Sequence, residues 1–468
     1  MTDLITQSLT KLAELIRARK VSPVEVAEAY LQQIDKLNPT LNAIVTLAPD
    51  VMDKARAAES VMTSGKILGA LHGVPVTIKD TIETSGLRTT SGSQTRAGFI
   101  PDCDAPAVAR LKAAGAIILG KTNVAEMAMD YTGDNPVFGR TNNPHDPSRT
   151  PGGSSGGEAA AIATCMSPAG LGSDMAGSIR IPSHFCGITG FKPSTGRVPG
   201  AGQCPPSIGP YALGSAIGPM ARRVEDLQTL FDVLHMSEPS SSFASNAHTK
   251  IKDSQVAWYT DDGVAPATEE THRAVEMAAR ALAEAGLAVE ERCPPHVERG
   301  HDLWLKLFSR ASVVQLRRAY SGREDEAGAF VSWRLATADD RGIATLDEFI
   351  TSWMERDRLR AELLRWMETT PILVTPVGAV PAFHHNAHKV TVAGSSISIF
   401  RAFSHAQAFN VFDLPAATVS AGRSSDGLPI GVQIVGRPHD EKTVLLAASI
   451  IEEALGGWQM PTLVSDML

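Results

Sequence analysis

Aromatic side chains are scarce in this chain, at 5% of 468 residues. So few rings argue against a base-stacking surface, and a formal net charge of −8 argues against a basic groove for nucleic acid. Cysteines are few and odd in number: Cys103, Cys165, Cys186, Cys204 and Cys293. No C-x-x-C pair occurs among them, which points away from a disulfide framework or a zinc knuckle and toward a reducing compartment. No run approaches the roughly 18 apolar residues that a membrane span requires. The N-terminal MTDLITQSLTKLAELIRARK lacks a basic segment followed by a long apolar one, so it is not expected to be a signal peptide. Internal repeats are missing too. The expectation is a cytoplasmic protein with no nucleic-acid and no membrane partner, with a homodimer left open.

What is present is ordinary for a globular enzyme: 43% hydrophobic and 20% charged residues, in a chain long enough to bury a large core. Leu9, Leu12, Leu15 and Ile16 fall at helical spacing. Ser22-Pro23-Val24-Glu25 reads as an N-cap, a proline at the first helical position and a capping acid. That helix is expected to stop at Asn38-Pro39. Strands are expected at Asn42 to Leu47, Val74 to Ile78, Ile117 to Leu119, Ile372 to Val377, Ala416 to Val419 and Ile430 to Val435. Helices fall between them at about 51–63, 105–114, after Ser155, 268–285, 346–368 and 441–454. This rhythm predicts an α/β fold with a mixed, largely buried sheet. The serine-rich Ser237–His248 stretch reads as a surface loop. His384 and His388 stand four apart, but Pro381, Asn386 and Gly394 around them argue against a helix, so no metal site is assigned.

Three groups could carry chemistry. PGGSSGG (151–157) fits G-x-S-x-G twice, but the turn-forming TNNPHDPSRT before it is no strand, so the hydrolase elbow is rejected. Gly-Gly-Glu stands where a phosphate loop has Gly-Lys-Ser/Thr. A tight glycine turn capping a helix stays open as a reading of Ser154. Ser178, in GSDMAGSIR, follows an apolar strand candidate among small residues whose backbone N–H groups can converge; taken alone, it reads as a helix cap. Lys79 ends the strand VPVTI, where a solvated charge is the ordinary reading. As a base it would have to be neutral, which lowers its pKa of about 10.4 by about three units, at ~4 kcal/mol. Ser8 and Lys11 match S-x-x-K without the companion motifs and read as helix surface.

Taken together, HGVPVTIKD, GKTNVAEMAM, FGRTNNP, PGGSSGGEAA, GSDMAGSIRIPSHFCGITGFKPSTGRV and LPAATVSAGRSSDGLPIGVQIVG resemble the amidase signature family in order and spacing, over essentially the whole chain. The resemblance implies an amidase signature fold, with a central mixed twisted sheet covered by helices on both faces. It implies one domain over 1–468, with a catalytic core at about 65–200 and a pocket-forming part at about 300–440. It implies Ser178 as nucleophile, Ser154 as a bridging serine preceded by a cis peptide, and Lys79 as general base. The backbone of Met175, Ala176, Gly177 and Ser178 would form the oxyanion hole, with Ala176 where the family commonly has glycine. Ser155 and Asp174 are expected to support the site, and Cys186 to be a buried small residue. No cofactor and no metal are implied. The substrate would be a small neutral amide, aryl or aliphatic, with carbamates and esters left open. Met127, Met129, Tyr131, Phe400 and Phe403 are the candidate pocket residues, although core packing explains them equally well. The rival reading is the amide-hydrolysing subunit of a tRNA-dependent amidotransferase, which shares the fold and would need partner subunits; a decayed, non-enzymatic scaffold is argued against by the joint presence of Lys79, Ser154 and Ser178.

Overall fold

Helix caps and strand alternation account for most of the architecture in the computed structural model, which describes residues 2–235, 254–338 and 344–465. The Ser237–His248 stretch lies outside the described residues. Ser22 and Glu25 form the expected capping box at the start of the helix Pro23–Leu41. That helix runs through Pro39 rather than stopping before it. Pro39 removes one backbone hydrogen bond from the last turn, and Asn38 stabilises the exit by accepting the N–H groups of Ala43 and Ile44 on its side-chain oxygen. Ser8 caps the preceding helix and Lys11 pairs with Glu14 at the surface.

The strands are β1 (Ile44–Leu47), β2 (Pro75–Lys79), β3 (Ile117–Thr122), β4 (Ala169–Asp174), β5 (Thr189–Lys192), β6 (Ala216–Ala221), β7 (Gln255–Trp258), β8 (Ala288–Glu291), β9 (Ile372–Pro376), β10 (Lys389–Val392), β11 (Ser395–Ser398), β12 (Ala416–Arg423) and β13 (Pro429–Val435). Eleven of them form one mixed sheet in the order β1-β3-β2-β4-β6-β5-β12-β13-β9-β7-β8, and β10 and β11 pair as a separate hairpin. β3, β2 and β4 are parallel neighbours, as are β9, β7 and β8, and the other pairings are antiparallel.

Successive side chains on a strand point to opposite faces, and the core divides accordingly. Ile372, Val374, Ala417, Val419, Ile430, Val432 and Ile434 join one apolar cluster with the N-terminal helices, while Leu373, Ala416 and Val435 join another with residues from 297 to 412. Helices therefore cover both faces of the sheet. β5, β6, β7, β8, β10 and β11 were not expected from the sequence. β6 contains Gly218 and Pro219 in mid-sheet, residues that argue against a strand. Gly218 is needed there because a Cβ would meet the Phe191 carbonyl at 2.0 Å. Among the described residues, no helix is long and apolar enough to cross a membrane.

Candidate active site

Two adjacent parallel strands bring the first groups together. β2 lies beside β4, with Thr77 opposite Gly170 and Ile78 opposite Leu171. Lys79, the last residue of β2, is fully buried, against the solvated reading of a strand-end lysine. Its Nζ lies 2.7 Å from Ser154 Oγ, 3.0 Å from Ser173 Oγ and 3.4 Å from the Ser173 carbonyl. Burial lowers its pKa to about 7, against the opposite pull of Asp174 and Glu158.

The glycine-rich loop delivers Ser154. Gly153 has no room for a side chain, because a Cβ would sit 2.2 Å from the Thr132 carbonyl. The Gly153–Ser154 peptide is cis. The loop leads into the helix Gly156–Ala163, where Glu158 accepts the hydroxyls of Thr77 on β2 and Thr122 on β3. The Ser155 N–H donates to the Ser178 carbonyl at 3.2 Å, which ties the two serine loops together. Among the described residues, no hydrogen bond joins the Ser154 and Ser178 hydroxyls.

Residues 175–178 turn directly off the end of β4, organised by Asp174. Its carboxylate accepts the N–H groups of Gly177 (2.8 Å) and Ile179 (3.1 Å), and it pairs with Arg180 through both oxygens at 3.0 Å. Both side chains of this pair are fully buried. Burial alone would raise the Asp174 carboxyl, but the Arg180 guanidinium outweighs it and holds the group well below the ordinary carboxylate range. The Met175 carbonyl accepts from Trp304 Nε1 at 3.1 Å, and the Ala176 carbonyl from the Tyr131 hydroxyl at 2.9 Å. Gly177 sits at φ +104°, a conformation that favours glycine.

The family model for Amidase matches residues 25–445. The chain belongs to the amidase family. It is 33% identical to a glutamyl-tRNA(Gln) amidotransferase subunit of Thermus thermophilus, over 95% of this chain and 97% of that one. It is 31% identical to fatty-acid amide hydrolase 2 of Homo sapiens, over 98% and 91%. A bacterial aryl acylamidase of the amidase signature family superimposes with a TM-score of 0.84 at 26% identity, covering 96% of both chains.

The expected pocket residues of this amidase separate into two groups. Tyr131, Phe400 and Phe403 gather beside the 175–176 turn, with ring centroids 5.0 Å apart for Tyr131–Phe400 and 5.4 Å for Tyr131–Phe403. Phe403 is fully buried against Phe185 and Phe383, and Phe400 is only partly covered. Met127 and Met129 pack elsewhere, under Leu316, Tyr320 and Val331. Cys186 is buried, and burial pushes its thiol well up. Both ring nitrogens of His184 are engaged by backbone, Nδ1 accepting from Gly431 at 2.6 Å and Nε2 lying 3.0 Å from the Val380 carbonyl.

Several residues around the site carry no assignment from the sequence. Ser173 and Arg180 stand inside the quoted GSDMAGSIR, next to assigned positions, and could have been flagged there. Trp304, Gln407 and Asn410 come from remote segments without a motif. Gln407 donates to the Tyr131 hydroxyl at 2.8 Å, and Asn410 donates to Asp174 at 2.9 Å while its oxygen accepts from Arg180 at 2.6 Å. Two hollows, of about 310 and 220 Å³, open on the surface away from Lys79, Ser154 and Ser178.

Asp174→Asn leaves the Arg180 guanidinium buried without its counter-charge. The free energy of unfolding should fall by about 3–5 kcal/mol, read by denaturant titration. An unchanged midpoint would mean that the neutral partners of Arg180 suffice.

Proposed function

We propose that this amidase hydrolyses the C–N bond of a small neutral amide through Ser178, with Ser154 as bridge and Lys79 as base. The observation that carries the reading is a fully buried lysine, its pKa lowered to about 7, set 2.7 Å from the Ser154 hydroxyl. A lysine near neutrality can take a proton at working pH. Neutral Lys79 accepts the Ser154 proton, Ser154 accepts that of Ser178, and Ser178 Oγ bonds to the amide carbonyl carbon. The oxyanion is held by backbone N–H groups of residues 175–178. The proton returns through Ser154 to the leaving nitrogen, the C–N bond breaks, and the amine departs. Water then attacks the acyl-enzyme, giving its proton to the same relay and releasing the acid. The Ser154–Ser178 contact is open in this geometry; catalytic contacts of this kind tighten when substrate is bound.

The aromatic side chains beside the 175–176 turn support an aryl or aliphatic acyl or amine group, and carbamates and esters stay within reach of the same chemistry. The 33% identity to the Thermus amidotransferase subunit supports a second reading, in which the amide is that of glutamine and partner subunits complete the enzyme. Release of ammonia from glutamine, measured beside an anilide and carbamate panel, decides between them. We read the whole chain as one cytoplasmic amidase unit, since eleven of the thirteen strands, β1 and β13 among them, share one sheet and all five cysteines are unpaired.

Ser178→Ala should abolish turnover, and a fluorophosphonate should label Ser178 in the native protein. Mass spectrometry that placed the adduct on Ser155 or Cys186 would overturn the assignment. Ser154→Ala should lower kcat strongly with KM nearly unchanged, because a relay acts only in the transition state; a raised KM at full kcat would make it a binding residue.

The lysine gives a pH dependence of definite sign. Burial disfavours the ammonium, so the neutral base forms as pH rises through about 7. Rates should climb over that range and level off above it. Lys79→Arg stays charged at every accessible pH and should be nearly as inactive as Lys79→Ala, while chelators leave the rate unchanged. Substantial activity in Lys79→Arg would take the base role from Lys79.

A further inference from the structure

Each peptide group of the 175–178 turn is held by its carbonyl. The Met175 oxygen accepts from Trp304 Nε1 (3.1 Å), the Ala176 oxygen from the Tyr131 hydroxyl (2.9 Å) and the Gly177 oxygen from the Ile181 N–H (2.7 Å). In a trans peptide the C=O and the following N–H point in opposite directions, and these peptides are trans. A bond to one carbonyl therefore aims the next N–H. Trp304 aims that of Ala176, Tyr131 that of Gly177, and Ile181 that of Ser178.

The three peptide groups are not held equally. The Gly177 N–H is itself taken by Asp174, at 2.8 Å, so the 176–177 plane is fixed from both ends and its N–H is engaged. The 177–178 plane runs into the helix Arg180–Cys186. The N–H groups of Ala176 and Ser178 donate to no acceptor among the described residues, and the 175–176 plane has Trp304 at one end. The Trp304 indole is also nearly buried and stacks on Phe400, at 5.8 Å and 18°, and Phe400 stacks on Phe330 at 6.1 Å and 20°.

We infer that Trp304 is a positioning residue for the oxyanion hole: it turns the Ala176 N–H toward the reacting carbonyl, and its stacking on Phe400 links that donor to the aromatic wall. The inference rests on Ser178 being the nucleophile. It narrows the hole by one donor, since the Gly177 N–H is held by Asp174 and the N–H groups of Met175, Ala176 and Ser178 are left.

The test uses W304F, which keeps a ring in the wall and removes the Nε1–H, in the full-length enzyme with an anilide substrate. Expected is a kcat lowered about ten- to hundredfold, with KM within about twofold. Affinity for a trifluoromethyl ketone, which builds an oxyanion on Ser178, should fall in step with kcat/KM, while affinity for the product amine holds. Y131F should lose less, because Asp174 still holds its peptide plane. If W304F does not fold, 3-benzothienylalanine at position 304 replaces the N–H by sulfur in nearly the same shape and is expected to give the same pattern. Wild-type kcat and ketone affinity in either variant overturn the role, as does an equal loss for ketone and amine, or a larger loss in Y131F. Ser178→Ala run alongside separates the two readings: turnover surviving there overturns the nucleophile, whereas turnover lost there and intact in W304F overturns only Trp304.

Discussion

The buried pair of Asp174 and Arg180 is the interaction on which the site depends. Asp174 closes β4, and its two oxygens hold the N–H groups of Gly177 and Ile179 as well as the guanidinium. Arg180 reaches across to the Ala406 carbonyl, Gln433 and Asn410. A single ion pair thus fixes the shape of the turn and fastens it to the C-terminal half of the chain. Two charges out of water are tolerable only because every remaining lone pair and proton finds a partner.

The same carboxylate also acts on Lys79. Desolvation favours a neutral amine, and the nearby charges of Asp174 and Glu158 favour the ammonium. Desolvation wins by a margin that leaves the lysine close to neutrality. Glu158 meets a matching compromise, pushed up to about 7 by burial while Thr77, Thr122 and the two lysines, Lys121 and Lys79, pull it down. A polar layer of this kind, under β2, β3 and β4, keeps the ionisable groups around Lys79 partnered although they are buried.

Beyond the turn, the wall of Tyr131, Trp304, Phe330 and Phe400 draws on four distant stretches of chain. Two of its members also donate to the turn's carbonyls.

Local chemistry determined much of this protein. The capping box at Ser22, the strand runs at 372–376 and 430–435, and the glycine loops around Ser154 and Ser178 are legible because each depends on neighbours within a few residues. Order and spacing of those motifs also carried the family. The burial of Lys79 was not legible, because its desolvation comes from helices and strands far away in sequence; read alone it is a surface charge. β6 was hidden by Gly218 and Pro219; the sheet needs the glycine because the Phe191 carbonyl leaves no room for a side chain at 218. Nor could Met127 be separated from Phe400 as a pocket candidate, since hydrophobicity does not say which cluster a side chain joins. Tertiary packing alone decided that Trp304 meets the 175–178 turn and Asn410 the Asp174–Arg180 pair, because hydrogen bonds between segments over a hundred residues apart leave no periodicity to read.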